Sequence, residues 1–240
     1  MKVAADPETA AALRVEWRIY SQLAAAYLPE VLGWDDDGSN SPMLILEDLA
    51  AGTWPPPWRT GQVREVLEML DQVAATEPPV DLPSLESLRR DMVGWTRVAA
   101  SPMAFLGLGF CSPGWLDRTL PTLLDAEADV SFGGESLVHG DVRGPNVCFT
   151  KDRVLLLDWS NACVGNPLLD VAFWLTNLCA DGGPVPDDVA PGAGQAAAVV
   201  SGFFARRAEE LGAQQRRYLR IALDWSARAL DLPAPGPLTP

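Results

Sequence analysis

The 240-residue chain predicts an α+β fold in two lobes, a small one holding a partial β-sheet and a larger, mainly helical one. Three observations carry this expectation. Apolar runs of strand length occur at Val31–Trp34 and Met43–Glu47, and again between Ser136 and Leu157. Apolar spacings of three and four fill most of the remaining chain. Between the first strands and the helices lies Gly52 to Pro57, with three prolines in a row, which can continue neither strand nor helix. The expected lobes are residues 1–51 and 52–240.

Taken in order, Asp6-Pro7-Glu8 reads as a helix start, with an Asp cap, Pro at the first helical position and an acid in the first turn. Leu13, Trp17, Tyr20 and Leu23 fall on one face of that helix. After the prolines, Gly61 to Ala75, Ser84 to Ala99 and Ser112 to Ala126 are expected helices, the last two with Ser caps. Ser136 to His139, Val147 to Thr150 and Val154 to Leu157 are expected strands, the last two forming a hairpin turned at Lys151-Asp152. Helices resume at Leu168–Leu178, Gln195–Leu211 and Gln214–Leu230, and Pro233 to Pro237 is a tail.

Composition narrows the function. With 48% apolar residues, 21% charged and nine Trp, the chain is globular. No stretch approaches the ~18 apolar residues a membrane helix needs. Asp6 and Glu8 stand where an export signal would be basic and then apolar, so a cytoplasmic location is expected. Acids outnumber bases 32 to 18, for a net charge of −14. Such a chain repels nucleic acid and anionic membrane surfaces, so neither is expected as a partner, and a small molecule is. The late arginines, Arg206, Arg207, Arg216, Arg217, Arg220 and Arg228, read as a solvated helix face. Cys111, Cys148, Cys163 and Cys179 form no Cys-x-x-Cys pair, and the single His cannot complete a zinc site with them. They read as small apolar residues in a reducing compartment. A metal-dependent hydrolase, whose sites usually need several His ligands, is disfavoured on the same count.

That single histidine, His139, opens the run His139-Gly140-Asp141-Val142-Arg143-Gly144-Pro145-Asn146. Asp158 follows the apolar run Leu155-Leu156-Leu157. Each polar residue sits where a strand ends, so Asp141, Asn146 and Asp158 are expected to converge at one edge of a small sheet. Gly140 permits the sharp turn. A carboxylate and an amide oxygen are the hard ligands magnesium prefers, leaving Asp141 free to orient or deprotonate a hydroxyl. This is the layout of a phosphoryl-transfer site. Asp170 lies in an otherwise apolar helix, where a carboxylate needs waiting donors, and so reads as structural.

The segments His139-Gly140-Asp141-x-x-x-x-Asn146, Asp158-Trp159 and Gly165-Asn166-Pro167-x-x-Asp170-Val171-Ala172 resemble the aminoglycoside phosphotransferase family, relatives of choline kinases and protein kinases. The resemblance implies a two-lobed protein-kinase-like fold with ATP between the lobes, and transfer of the γ-phosphate to a hydroxyl of a small molecule. It implies Asp141 as catalytic base, Asn146 and Asp158 as magnesium ligands, and His139 and Asp170 as supports of the catalytic loop. Leu44 to Leu49 resembles the strand and hinge whose backbone meets adenine, which places Glu47, Asp48 and Leu49 there. Lys2 resembles the phosphate-binding lysine, and Glu16 the helix glutamate that pairs with it. Trp159 to Cys163 and the acids Asp181, Asp187 and Asp188 are candidate acceptor liners. Family members carry a glycine-containing loop and two strands ahead of that lysine, and neither Gly33, Gly38 nor Gly133-Gly134 is placed to supply that loop. The expectation is therefore a partial N-terminal lobe. The alternative is a truncated, catalytically impaired pseudo-enzyme that binds nucleotide or a protein partner. Acceptor and oligomeric state are not readable.

Overall fold

The computed structural model describes residues 1–236, so Pro237 of the expected tail lies outside the described residues. In chain order the elements are β1 (Lys2–Val3), α1 (Pro7–Gln22), β2 (Val31–Asp35), β3 (Met43–Leu46), α2 (Gln62–Ala75), α3 (Leu85–Met92), α4 (Trp95–Ala100), α5 (Met103–Leu106), α6 (Pro113–Asp129), β4 (Ser136–Val138), β5 (Val147–Phe149), β6 (Val154–Leu156), β7 (Cys163–Gly165), α7 (Leu168–Ala180), α8 (Pro186–Val189), α9 (Ala197–Ala205) and α10 (Ala213–Ala229). The chain forms two compact units, one of Met1–Ser84 with Gly133–Asp170 and one of Leu85–Phe132 with Val171–Pro240.

In the first unit, β1, β3 and β2 form an antiparallel sheet in that order, with Lys2 opposite Leu44. Helix α1 begins as its sequence dictates. The Asp6 carboxylate accepts the Thr9 N–H at 2.8 Å, and the Thr9 hydroxyl accepts the Asp6 N–H at 3.2 Å. This reciprocal cap contributes about 1 kcal/mol. The buried face is Ala10, Leu13, Glu16, Ile19 and Tyr20. Trp17 is only half-buried and stacks on Trp34 at 5.0 Å, while Leu23 lies past the helix end as its C-cap. Periodicity marked Leu13 and Tyr20 of that face and passed over Ala10, Ile19 and the buried carboxylate.

The hairpin β5–β6 forms with Cys148 opposite Leu155, turned through Thr150–Arg153. The strands around the polar residues do not form one sheet, however. β4 pairs with β7, Leu137 opposite Val164, and the hairpin stands as a separate two-stranded sheet. Strand β7 was not anticipated because three residues ending in glycine carry no readable alternation.

In the second unit, the expected Ser84–Ala99 helix is two helices, α3 and α4, broken at Gly94. A Cβ at Gly94 would lie 1.8 Å from the carbonyl oxygen of Gly202, so close backbone packing requires glycine there. Glu127 of α6 closes the break, accepting the Gly94 N–H at 2.7 Å and the Trp95 N–H at 3.1 Å. Helix α9 covers only part of the expected Gln195–Leu211; Pro191–Ala196 is a 3₁₀ turn ahead of it. Trp95, Phe105, Leu123, Trp174 and Trp225 are fully buried in this unit. The late arginines do not make one helix face. Arg206 donates to the carbonyls of Arg90 and Val93, Arg207 lies over the Phe203 ring, Arg220 pairs with Asp224 and Arg228 with Asp187. All four cysteines are free, and three are buried; Cys179 is half-buried. Among the described residues no helix is long and apolar enough to cross a membrane.

Candidate active site

The run from His139 to Asn146 leaves β4 and returns at the start of β5, and its shape is set by two buried acceptors. The Asp170 carboxylate receives the His139 N–H at 2.6 Å and the Gly140 N–H at 2.8 Å. Burial pushes the Asp170 carboxyl up to about 6, partly offset by those two donors. Gly140 takes φ +80°, and a Cβ there would meet the Asn161 carbonyl oxygen at 2.6 Å. Only glycine fits on both counts.

The imidazole of His139 is wholly buried and held at both nitrogens. Nε2 lies 2.9 Å from the Leu157 carbonyl, which can only accept, and Nδ1 receives the Asp141 N–H at 3.1 Å. The ring is therefore neutral with its proton on Nε2. Burial lowers its pKa to about 4. Trp159 packs edge-on against it at 4.6 Å. Trp159 is fully buried, which corrects its expected place as an acceptor liner.

Leu157 joins this loop to the second acidic residue. Its carbonyl takes the His139 proton, and its N–H donates to the Asn146 carbonyl at 2.9 Å. Asp158, the next residue, adopts a left-handed backbone with φ 63°, uncommon for a side chain other than glycine. Its N–H donates to Glu16 Oε1 at 3.1 Å, and its Oδ1 accepts the Ser160 hydroxyl at 3.0 Å. Residues 157 and 158 are thus anchored to the catalytic-type loop on one side and to α1 on the other.

Asp141 sits within this frame. Its Oδ2 accepts Asn146 Nδ2 at 3.0 Å and Arg143 Nε at 2.9 Å, and its carbonyl accepts the same Asn146 amide at 2.9 Å. Among the described residues no donor reaches Oδ1. Burial raises the Asp141 pKa, with Arg143 opposing the shift. Since Asn146 Nδ2 is committed to Asp141, the other amide atom, Oδ1, is the one left to meet a cation.

Lys2 Nζ lies 2.7 and 2.8 Å from the two oxygens of Glu16 and 3.8 Å from Asp158 Oδ1. Tyr20 donates its hydroxyl to Glu16 Oε1 at 2.9 Å, and burial raises the tyrosine pKa steeply. Glu16 is 2% exposed, so it is a buried carboxylate satisfied by an ammonium, a phenol and a backbone N–H.

The three expected hinge residues make contacts of their own. Glu47 accepts the Glu30 N–H at 2.8 Å and pairs with Arg153, and Asp48 accepts the Ala50 N–H at 2.9 Å. Leu46 and Leu49 pack on the buried cluster Cys148, Leu155 and Leu157. Of the other candidate liners, Asp187 is committed to Arg228 at 2.6 Å. Sequence reasoning named Lys2, Glu16, His139, Asp141, Asn146, Asp158 and Asp170, which the structure links, but missed Tyr20 and Arg143, and it held Ser160 only within the Trp159–Cys163 segment of candidate liners, not as a partner of Asp158. Arg143 was within the quoted run; only its contact identifies it.

The architecture is a protein-kinase-like fold. The chain belongs to the phosphotransferase enzyme family, APH, whose model matches residues 1–230. A choline/ethanolamine kinase family protein from Mesorhizobium loti is similar in structure, with 15% identity, a TM-score of 0.54, and coverage of 94% of this chain and 82% of that one. An aminoglycoside-3'-phosphotransferase of type VIII matches at 19% identity and a TM-score of 0.46, covering 92% and 82%. A thermostable mutant of aminoglycoside phosphotransferase APH(4)-Ia, in ternary complex with AMP-PNP and hygromycin B, matches at 20% identity and a TM-score of 0.41, covering 91% and 75%. No curated protein matches the sequence.

Proposed function

We propose that this chain transfers the γ-phosphoryl group of ATP to a hydroxyl of a small molecule. The observation that carries the reading is the linked set of Lys2, Glu16, Asp158, Asn146 and Asp141, held together through the two backbone bonds of Leu157. In this reading residues 1–51 serve as the nucleotide-side lobe and residues 52–240 as the lobe bearing the catalytic loop. Asp141 Oδ1 receives the acceptor hydroxyl. The hydroxyl oxygen bonds to the γ-phosphorus, the bond from that phosphorus to the β–γ bridging oxygen breaks with its electrons leaving on ADP, and the hydroxyl proton goes to Asp141. Lys2, steered by Glu16, neutralises phosphate charge. His139 and Asp170 act only by shaping the loop.

The donor set fits magnesium. The Asp158 carboxylate is 38% exposed and the Asn146 oxygen is directed away from Asp141, giving the hard oxygen ligands that cation takes. When bound there it would screen the charge of the polyphosphate. The apolar surface of Leu46 and Leu49 over Cys148, Leu155 and Leu157 suits an adenine ring. The family supports an alcohol acceptor, an amino sugar or amino alcohol being the class to try first. Four free cysteines agree with a cytoplasmic setting.

The test is a calorimetric titration with Mg·ATP, followed by transfer of labelled γ-phosphate to a panel of amino sugars and amino alcohols. Magnesium-dependent binding that Asp158→Asn weakens at least ten-fold, together with transfer to one acceptor class, supports the reading. Binding without transfer would assign a nucleotide-binding role instead, and absence of magnesium-dependent binding would overturn both.

A further inference from the structure

We propose that Arg97, Arg206 and Arg207 form an oxyanion site in the helical unit, suited to phosphate or to the phosphoryl group of a phosphomonoester. The proposal does not depend on the phosphotransferase reading. The three side chains border a cavity of about 120 Å³ formed by α4, α5 and the turn that follows α9. Val98, Phe105, Ala205 and Ala208 are its buried apolar members. That volume is far below the ~300–1,000 Å³ of pockets that enclose a whole drug-sized molecule, and it suits one small anionic group.

Two of the guanidiniums are held in place without being neutralised. Arg206 Nη1 donates to the Arg90 carbonyl at 2.8 Å and to the Val93 carbonyl at 3.3 Å. Arg207 Nη1 donates to the Phe203 carbonyl at 3.1 Å, and its guanidinium lies 3.9 Å over the Phe203 ring. Arg97 is exposed. Among the described residues neither Arg97 nor Arg207 forms an ion pair with a carboxylate. The Arg206 partner, Asp91, lies 3.8 Å away and is 76% exposed, so that pair is weak. Glu209 and Glu210 also reach the cavity, but both are exposed and water screens their charge. Burial lowers the Arg207 pKa; Arg206 and Arg97 push the same way, and Glu210 and Asp91 oppose them. An arginine stays charged all the same, so the like charges remain as a cost that a bound anion would remove. A chain with 32 acids and 18 bases thus gathers three arginines at one cavity with their charge largely unmet. A tetrahedral oxyanion offers an oxygen to each of the three guanidiniums, whereas a carboxylate has only two.

The experiment titrates the full chain by calorimetry with inorganic phosphate and, separately, with glycerol 3-phosphate, at fixed ionic strength and without nucleotide or magnesium. The wild type is compared with Arg97→Gln, Arg207→Met and Lys2→Gln, and circular dichroism confirms folding. Arg207→Met keeps an apolar stem beside Phe203; should it fail to fold, Arg97→Gln, at an exposed position, decides alone. The wild type should bind one of the two ligands with a dissociation constant of about 1 mM or tighter. Each arginine variant should weaken that ligand about ten-fold, while Lys2→Gln leaves it within about two-fold. The tighter ligand shows whether the site takes free phosphate or an esterified phosphoryl group. No binding by the wild type at about 10 mM, unchanged affinity in a folded arginine variant, or loss in Lys2→Gln alone overturns the site. The phosphotransferase reading is tested separately, by magnesium-dependent nucleotide binding and transfer.

Discussion

Glu16 Oε1 accepts the Lys2 ammonium at 2.7 Å and the backbone N–H of Asp158 at 3.1 Å. One buried oxygen thus couples Lys2, the proposed phosphate-binding lysine, to Asp158, the proposed metal ligand. Those partners lie 14 and 142 positions away in the chain. Glu16→Gln keeps one acceptor oxygen but places an amide where Lys2 or Asp158 needs another. It should cost about 1–3 kcal/mol of stability and weaken Mg·ATP at least ten-fold. Urea unfolding and calorimetry on one preparation check both. Full nucleotide affinity in that variant would mean that the lysine and Asp158 are positioned by something else.

Asp170 holds the loop by accepting two backbone N–H groups. In Asp170→Asn one of them faces an N–H₂ group inside the core. The expected loss is about 2–4 kcal/mol, measured by urea denaturation, with turnover falling in step. A variant as stable as the wild type would show that the two bonds do not hold the turn.

Gly140→Ala meets two obstacles, φ +80° and the Asn161 oxygen at 2.6 Å from the new Cβ. A destabilisation of about 1–3 kcal/mol is expected by thermal or chemical melting. Catalysis should suffer beyond that, because the shifted backbone carries Asp141.

Glu127 makes a pH-dependent contribution in the helical unit. Burial raises its pKa from 4.5 to about 7 in the folded chain, while the unfolded chain keeps the ordinary value. The folded state therefore binds this proton more tightly. The resulting stabilisation is fully present below pH 4.5 and is lost as pH rises through 7. Glu127→Gln retains an acceptor for Gly94 and Trp95 without the charge. Its stability relative to the wild type should improve by about 1–3 kcal/mol between pH 5 and pH 8. Urea curves at the two pH values decide it, and a constant difference would contradict the assignment.

The residues of the loop were readable because a lone histidine, glycine, aspartate and asparagine sit at fixed spacing beside strand-length apolar runs. The Asp6 cap and the β5–β6 hairpin were readable for the same reason, since their causes lie within a few residues. The break at Gly94 was not, because its cause is the carbonyl of Gly202, more than 100 positions away. The short β4–β7 pair was hidden by strands of three residues that show no alternation. Arg143 was hidden in a different way. It stood inside the motif, yet arginine beside aspartate is unremarkable until the Nε–Oδ2 bond is seen.

The central claim is that Asp141 receives the proton of a hydroxyl during phosphoryl transfer. Its most direct test is the turnover of Asp141→Asn with the acceptor found in the panel, measured beside its Mg·ATP affinity and melting temperature. The account predicts a fall in kcat of at least about 100-fold with nucleotide affinity and stability nearly unchanged. Turnover within a few-fold of the wild type would contradict it.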